Sequence, residues 1–580
     1  MARTAWRPFE RLWQIAPADP HAETLARQGR LPPLVATVLA MRGAYTPESA
    51  QAFLDPKLSD LHDPADLPGA EQAAERLAEA VRQGRKIVIY GDYDVDGITA
   101  VAILHAAIGL VGGQVGFYIP HRIEEGYGLN PAAVAEVAAA GGELMVTVDC
   151  GISAAAELAD LPAGLEAIVT DHHALPEQLP PAGAIVHPHL GEYPNRHLCG
   201  AGVALKVAWA LARRVCGTER VDDRLREFLL YATSLAAMGT IADVVPLRGE
   251  NRVLASYGLR GLAGAGHPGL AALIASAGLD GKSLQAKDVG FVLGPRLNAA
   301  GRMGHANLAV ELLTDADAAR GAEIAAELNK LNAQRQKVER QITAEAEALV
   351  REAGLDDPSR RTIVLAGEHW HGGVIGIVAS RLVGTFNRPV LLVAANGDGL
   401  GHGSGRSIPG FDFHAALTAC SEHLVGFGGH AMAGGCRVEL QKVQALAEAF
   451  EAHAQARGEP VAEAAPLAID AEAKLAQLSY PTVSQLARMA PFGEGNPAPV
   501  FAIRRCQVAT PPKRMGRGGN AVAMTLAQGA THMRAVGFGM GDLADALAGV
   551  KEVDIAAAPT LNTFRGRTSV ELHLCDVVWK

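Results

Sequence analysis

Arg85-Lys-Ile-Val-Ile-Tyr-Gly-Asp-Tyr-Asp-Val-Asp-Gly-Ile-Thr99 is the stretch whose reading decides the fold. Ile87 to Tyr90 read as a short buried strand. Asp92, Asp94 and Asp96 then crowd three carboxylates into five residues, and Gly97 opens an apolar, Ala-rich helical run from Ile98 to Leu110. In an open α/β sheet, residues at a strand's C-terminal end point into the crevice where ligands bind. Adjacent carboxylates repel one another near neutral pH unless cations neutralise them, and clustered hard oxygen donors suit Mg2+ or Mn2+. In isolation the stretch also reads as a solvated Asp/Gly turn. The spelling Asp-x-Asp-x-Asp-Gly opens calcium-binding helix–loop–helix loops too. Those need a Glu at the twelfth position, where Ile103 stands, and a preceding helix, where this chain has a β-type run.

Outward from that stretch, strand and helix patterns alternate to about Pro246, which predicts a largely parallel sheet. Val115–Ile119 is followed by Pro120-His-Arg122 and by Glu124-Glu-Gly-Tyr-Gly128. A third strand from Glu143 to Val148 ends in Asp149-Cys-Gly151. A fourth from Glu166 to Thr170 ends in Asp171-His-His173, and a fifth from Ala184 to Val186 ends in His187-Pro-His189. Strand after strand carries its Asp or His just past its C-terminal end. In a parallel sheet those ends share one edge, so Asp94, Asp96, Asp149 and His172 can converge, and the Thr-Ile-Ala-Asp243 segment can add a carboxylate. Each signal alone has a plain reading, a helix N-cap for an Asp or core filling for a His. Their shared register favours a metal site.

The 580 residues are too many for one core, so two to four domains are expected. Seven scattered cysteines without a Cys-x-x-Cys pair fit a reducing cytosol and neither a disulfide scaffold nor a zinc module. No apolar run reaches membrane-spanning length, and the first ten residues lack a signal-peptide core. A soluble cytoplasmic protein with no membrane partner is therefore expected. The formal net charge of −10 hides an uneven distribution, because residues 501–580 carry +4 and the remainder −14. A local basic surface for nucleic acid is compatible with that total.

Asp94-Val-Asp96-Gly, Val-Asp149-Cys-Gly, Asp171-His-His and Gly-Thr-Ile-Ala-Asp243 resemble the four motifs of the DHH phosphoesterases. In motif order and length, from about residue 70 onward, the chain resembles the single-strand-specific exonuclease branch of that family. The resemblance implies that Asp94, Asp96, Asp149, His172 and Asp243 hold two divalent cations, Mn2+ or Mg2+, with Asp149 bridging them, and that Asp92 is a ligand or a neighbour of one. Two such ions usually lie about 3.5–4 Å apart and activate water without a side-chain nucleophile. Asp171 would orient His172, since ligating imidazoles usually donate their other N–H to a carboxylate. His173 would touch the scissile phosphate. The implied activity is 5′→3′ hydrolysis of single-stranded DNA to 5′-mononucleotides in repair and recombination. Candidate partners are a single-strand-binding protein and a helicase, and a monomer is expected. The alternatives are a DHH hydrolase of short oligonucleotides or cyclic dinucleotides, and a non-catalytic single-strand-binding relative.

The expected architecture is an α/β protein. A helical segment (1–70) precedes a parallel-sheet DHH domain (71–246) with a helical extension (247–314). A connecting helix (315–354) leads to a second α/β domain (355–460), and a linker with an OB-like β-barrel (461–580) completes the chain. In the extension, Gly294-Pro-Arg296-Leu-Asn-Ala-Ala-Gly-Arg302 offers two arginines whose planar forks match phosphate oxygens. Helix capping and acid pairing are their plain roles. Gly401-His-Gly-Ser404-Gly-Arg406 and Gly426-Phe-Gly-Gly429-His430 read as an anion cradle or as tight turns. The second resembles the glycine- and histidine-bearing motif of the DHH-associated domain. Arg122, Arg296, Arg302, Ser404, Arg406, Gly429 and His430 are the phosphate-binding candidates. In the barrel, basic loops suit single strands, although aromatics for stacking are sparse (Phe501, Phe538, Phe564, Trp579).

Overall fold

A computed structural model describes residues 12–122, 125–126, 128–264, 266–395, 399–458 and 466–579, with the backbone alone at Arg517. Glu124 and Tyr127 of the loop after the second strand, the leader reading at residues 1–11, and residues 459–465, which include the start of the expected linker (461–465), lie outside these residues. The chain divides into two units. One holds residues 61–245 and 249–463, and the other gathers 1–60, 246–248 and 464–580.

The larger unit is built on the expected parallel sheet. Its strands run in the order Gln114–Tyr118, Lys86–Gly91, Leu144–Val148, Glu166–Thr170, Ala184–Val186, all parallel. Central strands buried on both faces need near-continuous apolar runs. Ile87, Ile89, Leu144, Val146, Ile168 and Val186 line one face, and Val88, Tyr90, Met145 and Val169 the other. The helix after the first strand spans Val95–Leu110. It begins two residues before Gly97 because Asp94 Oδ1 accepts the N–H groups of Asp96 and Gly97, closing a turn where the sequence pattern shows only a loop. It packs against the helices Gly200–Cys216 and Asp223–Ala242.

A buried polar knot fixes this helical layer. Lys206 reaches both Glu250 and the His62 carbonyl, while Tyr193 and Asn195 donate to the other Glu250 oxygen. The extension carries a π-helical turn, Val289–Leu293, that leads into the helix Gly294–Arg302. A single helix, Ala318–Glu352, then runs 35 residues, about 50 Å, to a second sheet. That sheet is ordered Gly426–His430, Ala433–Glu439, Leu400–Arg406, Val390–Ala395, Ile363–Gly367, with only the last pair parallel.

The two glycine-rich patches are therefore strands and not loops. In the first patch the glycines serve close packing, since a Cβ at Gly405 would lie 1.9 Å from the Phe413 ring and one at Gly403 2.4 Å from Cys436 Sγ.

The smaller unit contains the β-barrel. Phe501–Val508, Glu552–Phe564, Arg567–Val578, Thr531–Phe538 and Ala521–Gln528 pair in that order, and the last pairs back to the first. This is a closed five-stranded ring, as in OB folds. The N-terminal residues do not stand apart as a helical segment. Trp13–Ile15 is a strand paired in parallel with Leu467–Ile469, and Leu25, Val35 and Leu39 share the barrel's core with Phe501 and Ile555. Pairing across some 450 residues leaves no trace in local periodicity. Phe501 is buried and Trp579 packs on the core, whereas Phe538 and Phe564 are exposed.

Replacing Lys206 with Met is expected to strand Glu250 as an uncompensated buried charge, costing about 3–5 kcal/mol in urea unfolding. The double change Lys206→Met with Glu250→Leu should recover most of that loss, and equal stability of the single variant and the parent would contradict this account of the knot.

Candidate metal centre

The strand ends converge. Asp96, His172 and Asp243 bring ligand atoms within 4.8 Å of one another, and so do Asp92, Asp94 and Asp149. The two sets meet at His172 Nε2, which lies 3.0 Å from Asp149 Oδ1 and 3.7 Å from both Asp96 Oδ2 and Asp243 Oδ2. His173 forms a third set with Asp149 and His172.

Asp96 is held from behind. Its two oxygens accept the N–H groups of Gly200 (2.6 Å) and Ala201 (2.8 Å), at the N-terminus of the Gly200–Cys216 helix, where the helix dipole favours an anion. Asp92 Oδ1 and His172 Nε2 are buried, and neither has a hydrogen-bond partner among the described residues. Buried polar atoms normally find one. Two groups of oxygen donors, with one imidazole nitrogen, fit a pair of hard divalent cations.

Protonation follows from the crowding. Burial, then the neighbouring Asp94, raises Asp92 well above the usual carboxyl range. Burial together with Asp96 does the same to Asp149. Asp243 is half-buried, and desolvation, then Asp96 and Asp94, push it up to about 8. Burial lowers His172, leaving its ring neutral as a metal ligand must be.

His173 goes the other way. Burial opposes its charge, but the hydrogen bond from Nδ1 to Asp171 Oδ1 (2.7 Å) and that carboxylate's charge outweigh it and raise the imidazole to about 9. The expectation that Asp171 orients His172 is thus corrected. Its Oδ1 receives the His172 backbone N–H and the His173 ring, and Oδ2 receives the Ile152 N–H.

Among the phosphate candidates, Arg122, Arg302 and Arg406 lie close enough to act on one another. Burial, then Arg122, Arg335 and Arg406, push the Arg302 guanidinium down to about 9. Arg302 Nη1 donates to the Gly373 carbonyl (2.9 Å), and Arg122 lies over the Tyr93 ring at 4.6 Å. A Cβ at Gly376 would sit 2.8 Å from Ser404 Oγ and 3.4 Å from Arg406, so that glycine leaves room in front of both. Like charges gathered in this way are relieved by an anion.

Arg296 differs. Its Nε donates to Asn329 and its Nη1 to the Val292 carbonyl, which ties its own helix to the long one. Gly429 and His430 sit on the exposed hairpin strand Gly426–His430.

Several contributors escaped the sequence reading. Gly200 and Gly239 let helices press against the carboxylates, since a Cβ would lie 2.7 Å from Asp149 Cβ at the first and 2.3 Å from Asp96 Oδ1 at the second. Glycines spelled Cys199-Gly-Ala-Gly202 at a helix start were the available signal. Asn298 accepts the Val95 N–H (3.1 Å), and Arg335 joins the arginine group. Asp149 (φ 59°) and Val244 (φ 60°), which follows Asp243, hold left-handed backbone, the kind of strain that collects at functional sites.

The model of the DHH family N-terminal domain matches residues 86–233, that of the DHHA1 domain residues 360–456, and that of the RecJ OB domain residues 469–576. The chain is 36% identical over 574 residues to the single-stranded-DNA-specific exonuclease RecJ of Bacillus subtilis, covering 97% of this chain and 70% of that protein. It is 35% identical to the Escherichia coli protein of the same name, covering 96% of this chain and 97% of that one. Among solved structures, RecJ of Thermus thermophilus in complex with Mn2+ superposes with a TM-score of 0.83 at 33% identity, covering 98% of this chain and 80% of that one. The Mg2+ complex of the same protein gives 0.78 at 32% identity, covering 98% and 78%.

Metal-free protein is expected to lose stability as pH rises from about 6.5 to 8.5. Both Asp243 and His173 have raised values in the folded chain, so over that window the fold gives up protons that the unfolded chain has already released. Melting in EDTA should fall across the window, and added Mn2+ should raise the melting temperature most at its alkaline end. A flat EDTA profile, or a Mn2+ effect independent of pH, would contradict the assignment.

Proposed function

Because the chain belongs to the RecJ family of single-stranded-DNA-specific exonucleases, we propose that it hydrolyses single-stranded DNA from the 5′ end to 5′-mononucleotides, in DNA repair and recombination. One observation carries the reading. Two sets of ligand atoms meet at Asp149 and His172 in the same unit as the arginine group of Arg122, Arg302 and Arg406. Asp96, His172 and Asp243 would hold one divalent cation, and Asp92, Asp94 and Asp149 the other, with Asp149 shared. When bound, such cations neutralise the carboxylates and supply Lewis-acid activation of water and of the phosphoryl group.

The residues of this chain do the rest. Asp96, pinned by two amides, keeps its oxygens in place. His173, cationic through Asp171, presents an imidazolium to a non-bridging phosphate oxygen. Arg302, Arg406 and Ser404, with Arg122, receive the terminal 5′-phosphate and set strand direction. Breaking the bond between phosphorus and the terminal nucleotide's 3′-oxygen frees a 5′-mononucleotide and leaves a new 5′-phosphate on the shortened strand. The same arginines can then engage that group in the next round.

The closed barrel, in a tail with a basic excess, favours long strands over short oligonucleotides or cyclic dinucleotides. The retained acids and imidazole argue against a binding-only relative. No helix among the described residues is long and apolar enough to cross a membrane, and the seven cysteines are free, which agrees with action in the cytoplasm. A monomer working beside a single-strand-binding protein and a helicase completes the proposal, on the family resemblance.

With Mn2+ and a 5′-phosphorylated labelled single strand, the parent chain should release mononucleotides from the 5′ end, and Asp149→Ala should abolish release. Arg406→Ala should raise KM about tenfold or more, in line with a lost charged contact of about 1.5–3 kcal/mol, whereas Arg296→Ala should change it little. Equal effects of the two arginine changes, or release from the 3′ end, would refute the anchor assignment.

A further inference from the structure

His187, in the His187-Pro-His189 segment after the fifth strand, has no role in the reaction as described, yet its side chain is completely buried. The strand pairing ends at Thr170 with Val186, and the Asp171 N–H still donates to the Val186 carbonyl (3.2 Å). His187 is the next residue, beside the turn that carries Asp171, His172 and His173. Its Nδ1 accepts the His189 N–H at 3.1 Å. An accepting Nδ1 puts the proton of the neutral ring on Nε2, and Nε2 lies 2.8 Å from the His173 carbonyl oxygen.

We propose that His187 is a positioning residue, a neutral imidazole locked in one tautomer that anchors the His173 carbonyl and thereby sets the His172 and His173 rings. The inference rests on the nuclease reading of the site. The turn is clamped from two sides. Asp171 gathers the His172 and His173 N–H groups and the His173 ring from one side, and His187 holds the carbonyl from the other. The two rings stand on that turn 4.5 Å apart and tilted by 47°. His172 Nε2 must stay within reach of Asp96, Asp149 and Asp243 at once, so a small rotation of the turn separates it from at least one of them. A histidine suits the post because it offers an acceptor and a donor on opposite edges of a rigid ring.

Two replacements separate the functions of the ring. His187→Phe keeps its bulk and removes both nitrogens, while His187→Gln keeps a donor that can reach the His173 carbonyl. In the full chain with Mn2+ and a 5′-phosphorylated strand, His187→Phe should lower kcat about tenfold or more with KM unchanged, the size seen when support behind a site residue is removed. His187→Gln should recover most of that loss at a similar melting temperature. In the metal-free chain labelled with 13C at histidine Cε1, the His172 and His173 ring resonances should move in the Phe variant and return in the Gln variant. Parallel loss in both variants that tracks the melting temperature would overturn the proposal, as would unchanged kcat and ring resonances in the Phe variant. If the parent chain cuts no strand, the nuclease reading fails by itself, and the ring resonances alone decide whether His187 positions the turn.

Discussion

Five carboxylates crowd around one neutral imidazole in this protein, and they cannot all be ionised there without positive charge between them. Burial and mutual repulsion push Asp92, Asp149 and Asp243 towards protonation, so the metal-free site is held together by protons that cations would displace. The surrounding fold acts to keep these groups together against that repulsion. A parallel sheet delivers Asp92, Asp94, Asp149 and His172 to one edge, and the N-terminal amides of the Gly200–Cys216 helix pin Asp96. Glycines at 200 and 239 remove the Cβ atoms that would force the helices away.

The same unit carries a complementary concentration of positive charge. Arg122, Arg335 and Arg406 sit close enough to Arg302 to add to the effect of its burial and depress it, and Arg302 is bonded to the Gly373 carbonyl beside the start of the Gly372–Phe386 helix. The helix Gly294–Arg302 contacts both groups. Its Asn298 accepts the Val95 N–H behind the acidic turn, Gly301 packs on the Tyr93 carbonyl, and Arg302 reaches Gly373. One short helix thus links the acidic cluster to the arginine group.

Most of the fold was legible from the regular placement of Asp and His after successive strands, because a parallel sheet turns that register into proximity. Contacts made through the backbone were harder to read. Asp94 starts its helix early because it caps it, and Asp171 bonds the His173 ring instead of the His172 ring because the turn directs its carboxylate back on itself. The type of Arg296 and its glycine neighbours suggest a phosphate ligand, but its guanidinium is engaged by Asn329 and Val292, contacts that composition cannot reveal. The glycine patches read as loops are strands, since glycine marks close approach as readily as it marks a turn. The joining of the N-terminal strand to the barrel unit depends on a partner hundreds of residues away.

The central claim is that this edge of the sheet cages two ions that share Asp149. The most direct measurement is an anomalous difference map, collected at the manganese absorption edge, from crystals grown with Mn2+. The account predicts two peaks, one among Asp96, His172 and Asp243 and one among Asp92, Asp94 and Asp149, with Asp149 touching both. A single peak, or two that leave Asp149 uncoordinated, would contradict it.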